Sequence, residues 1–225
     1  MHQSKLIRLL KCLSPEEFKH FSKFVQSPFF NTNPTQVKFY HLLKKECPDF
    51  ESKRIEKERM YKKLFGGTKF HYHSMANVMR DMTKLIESYL IFLENDKDEF
   101  QKQKTLNGVF RQRNFYDYFE KGTHDLLKQL NDQPYRDTLY FQKISELKSD
   151  FFYHPKTNRH SIKLDYSKDL MAHLDSYFVL AKMQLASELK TREKTLSAKY
   201  EIKLLNEALE IVPKESHPVF EIYAK

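Results

Sequence analysis

The chain reads as all-α: an N-terminal helical bundle followed by antiparallel helical hairpins in an α-solenoid-like array. Three observations predict this. Capped helix starts recur along the chain, apolar residues repeat at three- and four-residue steps, and the 225 residues include only four glycines. Sheet-rich and dinucleotide-binding folds need more glycine for their turns and phosphate loops.

The elements follow in order. Leu6, Ile7, Leu9, Leu10 and Leu13 predict a first helix over about 3–13. Ser14-Pro15-Glu16-Glu17 supplies an N-cap, a proline at the first helical position and a capping-box glutamate. The second helix, over about 15–26, then buries Phe18, Phe21, Phe24 and Val25. Ser27-Pro28 stops it, because a residue before proline is pushed out of the α region. Asn33-Pro34 opens a third helix to about 46, with Val37, Tyr40 and Leu43 inward and Cys47-Pro48-Asp49 as its break. A fourth, over about 56–65, ends in a glycine cap at Gly66-Gly67. The fifth, over about 70–94, steps through Tyr72, Met75, Val78, Met79, Met82, Leu85, Ile86 and Tyr89.

The polar run 94–99 marks a domain boundary, giving a five-helix unit over 1–95 and a hairpin array over 96–225. The array's helices are expected at 98–112, 114–131, 135–153, 162–190 and 193–212. Their breaks fall at Asn114, at Asn131 to Pro134, at His154-Pro155 to Arg159, and at Pro213. Ser216-His217-Pro218 opens a last helix, VFEIYAK, too short to hold without a neighbour, so the array is expected to continue past Lys225. Stacked hairpins with short polar breaks suggest a loosely tetratricopeptide-like second half, although no constant 34-residue period holds.

Composition narrows the classes. Apolar residues make up 40% and charged residues 31%, a balance that suits thin helical layers. Tryptophan is absent, and the 19 Phe and 13 Tyr fall mostly at helical spacing. A net charge of +9, leaning to the N-terminal half, favours acidic partners, nucleic acid among them. Two cysteines are too few for a disulfide framework. KLIRLLKCL lacks the apolar core of a leader, and YLIFL at 89–93 is too short to span a bilayer. The expectation is a reduced, cytoplasmic protein with no membrane association.

The opening LSPEEFKHFSKFVQSPFFN at 13–31 resembles that of a group of uncharacterised bacterial all-helical proteins, whose pattern is L-S-x-x-E-F-x-x-F-x-x-F-x-x-S-P-x-F-N. VMRDMTKLIESYLIFL at 78–93 and LDSYFVLAKMQLASE at 174–188 are similar to that group as well. The resemblance implies helix order and a longer chain. It implies no activity and carries over no catalytic residue.

Candidate chemistry is sparse. Leu64-Phe65-Gly66-Gly67-Thr68-Lys69 has the wrong order and spacing for a phosphate loop and reads as a helix end. His71 and His73, two residues apart at a helix start, point some 200° apart by helical geometry, and His154, His160 and His173 are scattered. Cys12 falls on the apolar side of the first helix and is expected as a buried thiol. Glu16-Glu17 and Asp98-Glu99 occupy first turns, where acid offsets the helix dipole. No catalytic residue, metal ligand or cofactor site is assigned, and the chain is not expected to be an enzyme.

Two surfaces remain. Arg59, Lys62, Lys63, Lys69, Arg80 and Lys84 form a candidate polyanion-binding face within 53–84. Phe115, Tyr118, Phe119, Gly122 and Leu126 form a stripe read as core, which leaves Tyr116 as the exposed ring and the candidate contact for a protein partner. Phe151-Phe152-Tyr153 is expected to plug a hairpin corner. The leading expectation is a non-catalytic helical scaffold that binds another protein. The alternative is a nucleic-acid-binding module using the basic face.

Overall fold

The computed structural model describes residues 1–51, 53–159, 164–196, 199–210 and 218–223. Among them it is all helical, and it divides into two compact units, Met1–Asp98 and Glu99–Lys225. Pro213, Ser216, His217, His160 and the last two residues of VFEIYAK lie outside the described residues.

The first unit holds α1 (Lys5–Cys12), α2 (Pro15–Gln26), α3 (Pro34–Lys44), a 3-10 turn (Lys53–Ile55), α4 (Lys57–Leu64) and α5 (Tyr72–Lys97). The capping box forms: Ser14 Oγ accepts from the Glu17 amide, and Glu17 Oε2 accepts from the Ser14 amide at 2.8 Å. The bond from the Ser14 amide favours the ionised carboxylate, so the Glu17 carboxyl lies below its ordinary pKa. α4 ends as its glycines require. Gly66 and Gly67 both have positive φ, and the Gly67 amide donates back to Lys62 O at 2.9 Å.

α5 is the post on which this unit is built. Its buried stripe is Met75, Val78, Met79, Met82, Ile86 and Tyr89, and α1, α2 and α3 all pack against it. Two tyrosine hydroxyls tie the bundle to α2. Tyr40 donates to Phe18 O at 3.0 Å, and Tyr89 donates to Glu17 O at 2.8 Å. Phe21 sits between their rings, 5.5 Å from Tyr40 and 5.2 Å from Tyr89. Gln36 on α3 donates to Val78 O.

The structure corrects several expectations here. α5 continues into the polar run as far as Lys97, past its expected end near 94. Tyr72 lies in the first turn beyond the core and is exposed, with Lys57 Nζ 4.8 Å over its ring. Cys12 is exposed, because Leu6, Ile7 and Leu10 define the buried face of the short α1 and Cys12 falls off it. His71 is the N-cap of α5 in extended backbone, so helical geometry does not separate it from His73, and their rings lie 5.9 Å apart. Phe50 was not singled out from sequence. It is buried with φ +51, its amide donates to Glu46 O, and its carbonyl accepts from His2 Nδ1.

The second unit holds α6 (Glu99–Gln112), α7 (Tyr116–Asn131), α8 (Thr138–Phe152), a short α9 (Pro155–Arg159), α10 (Leu164–Leu196), α11 (Leu205–Glu210) and α12 (Pro218–Tyr223). Each long helix packs on the next: α6 on α7, α7 on α8, and α8 on α10, against which α11 and α12 also lie. The core joins Leu126 and Leu130 of α7 with Tyr140, Phe141, Ile144 and Leu147 of α8 and Val179, Leu180 and Met183 of α10. Ion pairs cross between helices as well: Lys104–Glu146 and Arg111–Asp150 join α6 to α8, and Lys148–Asp169 joins α8 to α10.

Here too the boundaries differ from expectation. α10 runs 33 residues, about 50 Å, through the break expected at 190–193. No glycine or proline interrupts it, so propensity offers no reason to stop. Among the described residues α11 starts late, at Leu205, and runs to Glu210. The expected break at Pro155–Arg159 is the short α9, with proline at its first position. Of the three aromatics at 151–153, Phe151 packs on Phe119 and Tyr166, while Tyr153 is exposed.

Tyr40→Phe and Tyr89→Phe are each expected to cost about 1 kcal/mol, the net worth of one buried hydrogen bond. Urea unfolding of the full chain measures it, and a change below about 0.3 kcal/mol for both would show that the hydroxyls do not hold α2.

Candidate interaction surfaces

The first hairpin of the second unit carries a structured apolar surface, and its corner sets the geometry. Asn114 follows α6 with φ +60. Its amide donates to Arg111 O, and the Phe115 amide donates to Phe110 O at 2.9 Å. This is the paired 5→2 and 6→1 pattern of a Schellman cap, with Asn in the left-handed position. The hydrophobic contact that accompanies such caps is present, the Phe110 and Phe115 rings lying 6.5 Å apart.

That corner decides which stripe of α7 faces inward. Phe115 belongs to the cap and α7 begins at Tyr116. The buried residues of α7 are Phe119, Thr123, Leu126 and Leu130. Tyr116 precedes them by one step and lies half-buried, its ring 5.0 Å from His154 and its hydroxyl 3.3 Å from Thr157 Oγ1. Lys156 Nζ stands 5.3 Å from the same ring. Tyr116 is therefore not the exposed contact expected of it. The exposed rings are Phe115 and Tyr118, with Phe110 beside them. The two competing stripes share Phe119 and Leu126, and the true one contains the polar Thr123, so counting apolar residues favoured the wrong one.

Between α6 and α7 runs a groove of about 440 Å³. Leu106, Phe110 and Gly122 give it an apolar floor, and Asp125, Lys128 and Asp132 line its far end. Leu106 is about half exposed at 51%. Asn107 is buried in the floor; its Nδ2 donates to Thr123 Oγ1 at 2.9 Å, and Thr123 donates to Phe119 O. Because the Thr123 hydroxyl proton is committed to Phe119, the amide orientation of Asn107 is set. Asn107 Oδ1 is then a buried acceptor with no donor. It lies against Gly122, where a Cβ would stand only 2.3 Å from it.

A second apolar surface lies in the first unit, at the Ser27–Asn31 turn. Asn31 holds this turn by donating to Val25 O and Asn33 O and accepting from the Asn33 amide. Phe30 stacks on Phe24 with centroids 4.0 Å apart, Phe92 packs beside it, and Phe29 projects outward at 88% exposure.

The six basic candidates, Arg59, Lys62, Lys63, Lys69, Arg80 and Lys84, are all exposed. Arg59 pairs with Glu56 and Arg80 with Asp81, whereas the four lysines have no acidic partner among the described residues. α4, which carries Arg59, Lys62 and Lys63, packs on α3 and on the 3-10 turn. It reaches α5 at the opening turn, through Lys57 and Tyr72, two turns before Arg80. Arg80 and Lys84 thus sit further along α5 rather than as a direct extension of α4.

His154 is the buried titratable group of this region, enclosed by the rings of Tyr116 and Phe119. Its Nδ1 accepts from the Lys156 amide, which requires the neutral ring at that nitrogen. Burial, then the charges of Lys156 and Arg111, lower its pKa. Among the described residues no group of three or more His, Cys, Asp or Glu side chains could hold a metal ion. No helix among them is long and apolar enough to cross a membrane.

No protein-family model, curated protein or solved structure matches the chain.

Gly122→Ala is expected to destabilise the chain by about 1–3 kcal/mol, because the new methyl displaces Asn107 and breaks its bond to Thr123. In an Asn107→Ala background most of that cost is expected to vanish; a double-mutant cycle showing simple additivity would contradict the contact. A second expectation concerns pH. With its folded pKa lowered, His154 contributes stability that is full above the ordinary histidine range and is lost as pH falls toward the folded value. Denaturation across pH 5 to 8 is expected to show that slope, and His154→Gln to flatten it.

Proposed function

We propose that the chain is a non-catalytic helical scaffold that binds another protein through the α6/α7 surface. The observation that carries this reading is the groove itself: Leu106, Phe115 and Tyr118 remain exposed around a preformed apolar floor. Exposed apolar patches on folded domains mark interaction sites more often than scattered apolar residues do. The hairpin on which they sit is held by a cap and a close helix contact. The surface is thus ordered before any partner arrives, which lowers the entropy lost on binding.

The direct test is affinity capture with cross-linking, comparing the wild-type chain with a Leu106→Glu/Tyr118→Glu variant. Both residues are exposed, so helix content is expected to be unchanged. A stoichiometric protein held by the wild type and lost from the variant supports the reading. Identical captured proteins from both chains would count against it.

A second reading has its own observation. Lys62, Lys63, Lys69 and Lys84 are exposed basic groups without an acidic partner among the described residues, which suits contact with phosphates. Under that reading, labelled single- or double-stranded nucleic acid binds with a steep salt dependence. Charge reversal of Arg59, Lys62 and Lys63 then lowers the slope of log K against log salt by about three. Flat titrations at low salt would remove it.

A further inference from the structure

We infer that the α6/α7 groove accepts an amphipathic helix whose apolar edge is aliphatic and whose flank carries lysine or arginine. This rests on the scaffold reading and names the chemistry of its partner.

The shape argues for a helix. The floor spans Gln103 to Phe110 on α6 and Gly122 to Asp132 on α7, about 10 and 15 Å along the helix axes. Two to three turns of a third helix fit that length, with anchors at i, i+3 or i+4, and i+7. An added β-strand finds no edge here, since both walls are helices whose backbone groups are already bonded. Gly122 lets α7 close directly on Asn107 of α6, where a Cβ would strike Asn107 Oδ1.

The charge argues for a basic flank. Asp125 and Asp132 line the groove, and neither is paired with a cation among the described ion pairs. Asp132 is the C-cap of α7, where the helix dipole already presents negative potential. Lys128 lies between the two on the sequence and lines the same end without an ion pair to either. A carboxylate at a helix C-terminus is disfavoured by itself, and a cation brought by a partner relieves it.

The test uses two labelled 16-residue helical peptides with the same leucine edge, one flanked by lysines and the other by glutamates. Fluorescence anisotropy follows their binding to the full chain at moderate salt. The chain's net charge of +9 makes non-specific attraction favour the glutamate peptide, so a preference for lysine is diagnostic. The expected result is about tenfold tighter binding of the lysine peptide, reversed in Asp125→Lys/Asp132→Lys, with both peptides weakened about tenfold by Leu106→Glu. Equal affinities, a preference for glutamate, or a lysine preference that survives the charge reversal overturns the inference. Its failure is separable from that of the scaffold reading. If protein capture depends on Leu106 and Tyr118 while the peptides show no lysine preference, only the inference falls. If neither capture nor peptide binding depends on these residues, both fall.

Discussion

Asn107 and Gly122 can meet only because residue 122 has no side chain, and the first hairpin of the second unit depends on that meeting. The contact sets how closely α6 approaches α7 and leaves Asn107 bonded to Thr123 on one side and unmet on the other. The Asn114 cap complements it by turning the chain sharply and pinning Phe115 to Phe110 outside the core. One contact at mid-helix and one at the corner thus produce both the alignment of the two helices and the exposed aromatic rim.

The remaining helices hold this surface in place rather than contribute to it. Lys104 and Arg111 of α6 reach α8 through Glu146 and Asp150, while α7 packs its Leu126 and Leu130 into the shared core. Burial pushes the Glu146 carboxyl up, but hydrogen bonds from Lys104 and Gln142 together with the charges of Lys104 and Lys143 outweigh it and hold the group below its ordinary pKa. These pairs are partly exposed and contribute orientation more than stability. In the first unit the same division holds: a large buried core supplies the stability, and the Tyr40 and Tyr89 hydroxyls set where α2 lies.

The sequence disclosed the helices better than their faces. Proline, serine and glycine signals placed α2, α4 and the Ser27 break closely, because these act within one turn and need no tertiary partner. The α7 face was misread by one residue. The signal that resolves it was present: Asn114 flanked by Phe110 and Phe115 is the Schellman pattern, and it moves the helix start past Phe115. Cys12 and Tyr72 were misplaced because both lie at helix ends, where periodicity no longer predicts burial. The Asn107–Gly122 contact and the acidic end of the groove depend on which helices pair, and periodicity along one helix does not contain that.

The measurement that bears most directly on the central claim is site-specific photo-cross-linking in cells from residue 106, with exposed Arg192 on α10 as the control position. A discrete protein adduct is expected from position 106 and none from position 192. No adduct at 106, the same adducts from both positions, or an adduct to nucleic acid at 106 would contradict that claim.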